Sequence, residues 1–137
     1  MTHAFDELPW HDAELRGLYV DRRQPGITDQ VSLSVCWPNG AESEIAFHDC
    51  YALCAEMNFG VIAREAILAA RVSYNTPGLK EIRARWEPTG VRLDDLACFE
   101  IETSSTGSLL RIYAKAFEMR VPEPGAAEVR KPPPAHG

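Results

Sequence analysis

The chain has 137 residues, of which 45% are hydrophobic and 25% are charged, and it carries a formal net charge of −6. This length fits one domain of ordinary size, and the composition is average for a soluble globular protein. No membrane span or secretory signal is predicted, because charges interrupt the longest apolar stretch and the N-terminus lacks a basic cap before an apolar core. The net negative charge argues against nucleic acid as a ligand, since phosphate binding favours a basic face. We therefore expect a cytoplasmic protein with four reduced cysteines and no cofactor.

The N-terminal part of the chain predicts two neighbouring strands. Ala13–Asp21 has the composition of a first strand, and Arg22–Asp29 is a loop marked by a Pro-Gly pair. In Gln30–Trp37 apolar and polar residues alternate strictly, which is typical of a strand with one face in the core.

A turn at residues 38–40 then predicts a hairpin with a specific register. A two-residue Asn-Gly turn would mix the apolar and polar faces of the strands. A three-residue loop instead places Leu33 opposite Ile45 and Val31 opposite Phe47, and it puts the glycine at the left-handed position. We therefore favour the three-residue loop.

The next segment, Ile45–Phe59, is ambiguous. Most of its apolar residues keep a period of two, with Asp49 as the exception, which favours a strand kinked near His48. A helical stripe fits the same segment, formed by Phe47, Cys50, Cys54 and Met57.

Two helices are predicted between residues 60 and 90. Val61–Val72 is rich in Ala, Ile and Leu and has an apolar stripe. Pro77–Trp86 has Thr76 as a candidate N-cap and a proline that suits the first helical position.

A second hairpin is predicted from Cys98–Met119, with its turn at residues 104–107. When Thr103 faces Ser108, apolar residues face each other on one side of the ribbon and an acid faces a base on the other. The pairs are Ile101 with Leu110, Phe99 with Ile112, and Glu100 with Arg111. We expect the apolar pairs to face the core under the helices. Apolar residues change sides near Ala116, which predicts a bulge or burial on both faces.

These elements predict an α+β fold, mainly an antiparallel sheet of about five to six strands with one or two inserted helices. Residues 1–121 are expected to form a single domain. Residues 122–137 contain five prolines and no apolar periodicity, and they predict a disordered tail.

Histidine and cysteine offer candidate chemistry. His48, Cys50 and Cys54 lack the spacing of zinc motifs, and along a strand they would spread too far for one ion, so no metal site is assigned. No local signature of a Cys–His nucleophile surrounds any cysteine, and we expect buried free thiols.

Acidic residues offer candidate contacts with a partner. His11 directly precedes Asp12, and Glu14 follows two positions after Asp12, although adjacent strand residues point to opposite faces. Near the second hairpin an acidic cluster is expected from Asp94, Asp95, Glu100 and Glu102. These seven residues are the predicted partner-binding site, and a solvated face is the alternative.

Four motifs carry a family resemblance that covers residues 8–119. They are Trp10-His11-Asp12-Ala13-Glu14-Leu15, Trp37-Pro38-Asn39-Gly40, Met57-Asn58-Phe59-Gly60, and Cys98-Phe99-Glu100-Ile101-Glu102-Thr103 with Ser105-Thr106-Gly107-Ser108. They resemble a group of small bacterial proteins that is similar to immunity proteins of polymorphic-toxin and contact-dependent competition systems.

The resemblance implies a non-enzymatic protein that binds a cognate protein toxin. Charge complementarity would speed the encounter and favours a basic toxin. It brings no catalytic residues. The expected state is a monomer or homodimer with no nucleic-acid or membrane partner. The alternatives are a structural module that assembles through a sheet edge, and a small metal-binding or Cys/His enzyme.

Overall fold

The computed structural model describes residues 4–121, so the predicted tail lies outside the described residues. Within them the fold is α+β, with eight strands rather than the five to six expected and a single α-helix. The strands are β1 (Glu14–Gln24), β2 (Thr28–Cys36), β3 (Glu42–His48), β4 (Ala52–Glu56), β5 (Ile67–Ser73), β6 (Ala97–Thr103), β7 (Leu109–Ala114) and β8 (Ala116–Arg120), and the helix is α1 (Pro77–Trp86). No helix in this range is both long and apolar enough to span a bilayer.

The strands form two antiparallel sheets of four strands each, with the orders β1-β2-β3-β8 and β4-β7-β6-β5. Both predicted hairpin registers are confirmed. Leu33 pairs with Ile45 in the first hairpin, and Phe99 pairs with Ile112 in the second. Gly40 has a φ of 90°, as the three-residue loop requires.

The chain crosses between the sheets at two adjacent corners. The kink predicted near His48 is confirmed: β3 ends there, Asp49 has a left-handed φ of 54°, and β4 then joins the other sheet. At the second corner β7 ends at Ala114 and β8 begins at Ala116, with Lys115 between them. The change of apolar side near Ala116 therefore marks a strand that moves from one sheet to the other.

The predicted helix at Val61–Val72 is wrong. Residues 61–66 form a loop, and β5 is an edge strand paired with β6 through Ala70–Ile101 and Val72–Phe99. The pairing with β6 fixes the backbone, and such tertiary contacts override helix propensity.

Helix α1 is confirmed from Pro77 to Trp86, and the Leu79 amide donates to the Thr76 hydroxyl oxygen at 3.2 Å. We expected α1 to cover the apolar pairs of the second hairpin, but it does not. Leu79 and Ile82 instead pack against Cys98 and Tyr113, on the opposite face of the β6–β7 ribbon. The helix packs there because alternate residues of a strand point to opposite faces of the sheet.

The main core lies between the inner faces of the two sheets and includes the apolar pairs of both hairpins. Phe5, in a short 3-10 turn before β1, is only 2% exposed. Its ring centroid lies 6.1 Å from that of Phe47 in the first sheet and 5.0 Å from that of Phe99 in the second. The N-terminal segment therefore closes the core from one end.

Candidate functional site

Three exposed large apolar residues lie close together in the segment that joins β4 to β5. We call residues 57–63 the apolar loop. Within it Phe59 is 84% exposed, Val61 is 52% exposed and Ile62 is fully exposed. Exposed apolar side chains that lie next to one another are typical of surfaces that bind a partner.

Hydrogen bonds to the turn between β6 and β7 hold the start of the apolar loop. The Asn58 backbone amide donates to the Ser108 hydroxyl oxygen at 2.9 Å. The Asn58 side-chain amide donates to the carbonyl oxygens of Thr106 and Gly107, at 3.1 and 3.3 Å. Gly60 has a φ of 97°, a left-handed conformation that glycine adopts without strain.

The residues that follow the loop are held by the same turn. The Thr106 hydroxyl donates to a Glu65 carboxylate oxygen at 2.6 Å. The Ser105 hydroxyl donates to the Arg64 carbonyl oxygen at 2.5 Å and accepts from the Ala66 amide at 3.1 Å. The apolar loop is therefore fixed at both ends, so its exposed side chains are presented on an ordered backbone.

A groove of about 450 Å³ separates the apolar loop from β1. Leu15 and Leu18 line it on the β1 side, and Met57, Phe59 and Val61 line it on the loop side. Arg16, Glu65 and Thr106 also line the groove. We call the groove and the apolar loop together the loop surface.

The structure places the N-terminal group of predicted site residues where β1 meets β5. The Asp12 amide donates to the Ile67 carbonyl oxygen at 2.9 Å, and His11 Nδ1 lies 3.1 Å from the Leu68 carbonyl oxygen. Glu14 contacts Arg16 at 3.0 Å. These residues lie where the two sheets meet, and the side chains of His11 and Asp12 are largely exposed.

The predicted acidic cluster is not brought together. Asp94 and Asp95 precede β6, whereas Glu102 lies near its far end, roughly 20 Å away at the usual rise per residue of a strand. Asp94 lies 3.4 Å from Arg92, and Asp95 lies 3.8 Å from Lys115.

Glu100 is the most strongly paired of the predicted acids. It accepts hydrogen bonds from Arg71 and from Arg111, the latter at 2.7 Å, and Arg71 also reaches Glu102 at 3.4 Å. Partial burial opposes ionisation of Glu100, but the two arginine contacts outweigh it and hold the pKa of Glu100 below its usual value. This face of the sheet therefore has its acids and bases matched within the molecule.

The cysteines and His48 do not form a reactive pair. Burial raises the pKa of the Cys50 thiol to about 11, which keeps it protonated at neutral pH. His48 Nε2 instead lies 3.0 Å from Glu118. Only Cys98 is buried, and Cys54 is exposed, so the expectation of buried thiols holds in part. Across residues 4–121 no group of three or more His, Cys, Asp or Glu side chains has metal-site geometry.

Sequence reasoning missed the loop surface as a site. The helix predicted over Val61–Val72 gave Ile62 a place in an apolar stripe facing the core, where a side chain would be covered. Gly60 was the available signal, because glycine before an apolar run favours a break in the chain. The motifs at residues 57–60 and 105–108 did include the residues that anchor the loop.

No protein-family model matches the chain, and no curated protein shows significant similarity to it.

Proposed function

We propose that this protein is a non-enzymatic binding domain, and most concretely an immunity protein that neutralises a cognate bacterial toxin in the cell that makes both. The observation that carries the proposal is the loop surface, where Phe59, Val61 and Ile62 are exposed on a segment fixed at both ends. Large apolar side chains on an ordered backbone lose little conformational freedom when they bind, and they dominate the energy of protein interfaces.

The sequence motifs support the same proposal. Two of the motifs that resemble those of immunity proteins, at residues 57–60 and 105–108, are joined by the hydrogen bonds that hold the apolar loop. The partner would place an apolar pocket over the loop surface, and its basic residues would be attracted by the net charge of −6.

The test is a protection assay in which the toxin encoded beside this gene is expressed with and without the full chain. We expect the wild-type chain to prevent killing and to co-purify with the toxin. Ile62→Ser should weaken both effects while leaving the fold intact, because the side chain is fully exposed. Ile27→Ser is the matched control, since Ile27 is 82% exposed but lies in the turn between β1 and β2.

Undiminished killing in the presence of the wild-type chain contradicts the immunity function. Equal protection by the wild-type chain and both variants contradicts the assignment of the loop surface and leaves the function standing.

A further inference from the structure

The four edge strands of the two sheets differ in how they are protected. An edge strand presents unpaired backbone groups, so natural proteins cover it, bulge it or charge it. The outer edge of β5 is covered by the N-terminal segment. There the Val72 amide donates to Asp6 at 2.9 Å, and the Asp12 amide donates to the Ile67 carbonyl oxygen at 2.9 Å.

The two edge strands of the other sheet are protected differently. Strand β1 has irregular register at Arg16 and again between Asp21 and Gln24, and it carries several charges. Strand β8 carries Glu118 and Arg120, which are paired with each other. Bulges and charges of these kinds discourage a further strand from adding.

Strand β4 is short, which limits the edge that it presents, but among the described residues it has no cover, bulge or run of charges. Its sequence, Ala52-Leu53-Cys54-Ala55-Glu56, contains one charge at its end, and its pairing with β7 runs without a register shift. Among the described residues, its only ladder is the one with β7. Ala55 is exposed and Leu53 is half-buried, so part of the inner face of this strand is open.

We propose that a second copy of this chain pairs with β4 in antiparallel orientation, joining two four-stranded sheets into one continuous sheet. The pairing is centred on Cys54, which is the middle residue of β4. In this register Leu53 faces Ala55 of the second copy, and Ala52 faces Glu56, so no like charges meet across the pair. The charge pattern of β4 is therefore compatible with a copy of itself.

The start of β4 borders an open cleft. A cleft of about 600 Å³ lies between the start of β4 and the turn of the β1–β2 hairpin. In the proposed register the ladder covers residues 52–56 of both copies. Because the ladder is short, we expect a dimer that dissociates on dilution.

The first test measures mass against concentration by sedimentation equilibrium, in reducing buffer, on the full chain. We expect wild type to pass from monomer to dimer as concentration rises from micromolar to millimolar. Ala55→Lys should raise the dimer dissociation constant by about tenfold or more, because it turns a charge toward the inner face of the pair. Met119→Lys is the matched control on β8, where the side chain is 40% exposed, and it should dimerise as wild type does.

The second test is oxidative crosslinking with copper phenanthroline and dioxygen, which remove two protons and two electrons from two thiols. Directly opposed residues of an antiparallel pair have Cα atoms about 4.5 or 5.5 Å apart, and a disulfide accepts about 4.4 to 6.8 Å. We expect a covalent dimer through Cys54 that Cys54→Ser abolishes and Cys36→Ser retains.

A wild-type chain that stays monomeric at every concentration overturns the proposal, and it would leave β4 to a strand of another protein or to the C-terminal segment. Equal association by Ala55→Lys and wild type overturns the assignment to β4. A covalent dimer that survives Cys54→Ser overturns the register. None of these outcomes depends on the toxin, so these experiments test dimerisation independently of the immunity function.

Discussion

At the scale of single residues, the charges on the outer face of the second sheet pair with one another within the molecule. Glu100 receives hydrogen bonds from Arg71 on one neighbouring strand and Arg111 on the other. Opposed charges on adjacent strands stabilise a sheet in the register that brings them together. These contacts give Glu100 a part in stabilising the fold.

We predict that Glu100→Gln destabilises the protein by about 1 kcal/mol at neutral pH, as expected for a partly exposed charge network. The pKa of Glu100 is lower in the folded state than its unfolded value near 4.5. Glu100 therefore favours folding above that value, and its contribution is lost as the pH falls through the folded pKa. Urea unfolding of both proteins across this range should give curves that converge in acid.

Glu87→Gln is the control, because Glu87 is an exposed acid at the end of α1 with no ion pair among the described residues. It should change the free energy of unfolding by less than about 0.5 kcal/mol at any of these pH values. A difference between Glu100→Gln and wild type that stayed constant into acid would contradict the charge-based explanation.

At the scale of elements, α1 is a helix whose start is set by local chemistry. Thr76 has an extended backbone, its side chain accepts from the Leu79 amide, and Pro77 occupies the first helical position. We predict that Thr76→Ala costs about 1 kcal/mol of stability. Thr76→Ser keeps the hydroxyl and should stay close to wild type in thermal unfolding followed by circular dichroism. Equal losses in the two variants would show that the methyl group, not the cap, is responsible.

The elements that were predicted correctly are those whose causes lie close together in the sequence. The cap at Thr76 and the two hairpin registers depend on residues within one turn or one ribbon. Strand β5 was predicted as a helix because its partner β6 lies about thirty residues further along, as in the pairing of Ala70 with Ile101. Its Ala, Ile and Leu content suits both states, so the partner strand decides the conformation.

The anchoring of the apolar loop could not be predicted from the sequence, for the same reason. The hydrogen bonds that hold the apolar loop join positions far apart in sequence, with Asn58 bonded to Thr106 and Ala66 bonded to Ser105. The residues next to each of these positions in the sequence do not predict that the polar side chains will face one another. The exposure of Ile62 follows from that anchoring, and it becomes visible only when the turn between β6 and β7 is in place.

At the scale of the whole molecule, two sheets share one core, and Phe5 lies between them. Its ring contacts Phe47 of the first sheet, Phe99 of the second and Phe117 of β8. The two corners, where β3 passes into β4 and β7 passes into β8, tie the sheets together covalently. A molecule connected in this way should unfold as one unit rather than sheet by sheet.

We predict that Phe5→Ala lowers the free energy of unfolding by about 3 to 5 kcal/mol, the usual cost of removing a buried phenylalanine ring. Phe59→Ala is the matched control, because the same change at a residue 84% exposed should cost less than about 0.5 kcal/mol. Urea unfolding is followed by tryptophan fluorescence, from Trp10 and Trp37 in the core and from Trp86 on α1.

Circular dichroism at a helical wavelength gives a second signal from α1. If the core is shared, both signals should change at one urea concentration in wild type and shift together in Phe5→Ala. A variant in which the fluorescence transition moved while the helical transition stayed in place would contradict the single core. Because Phe5 touches both sheets but not α1, such a result would mean that the helix and the outer face of its sheet fold without the main core.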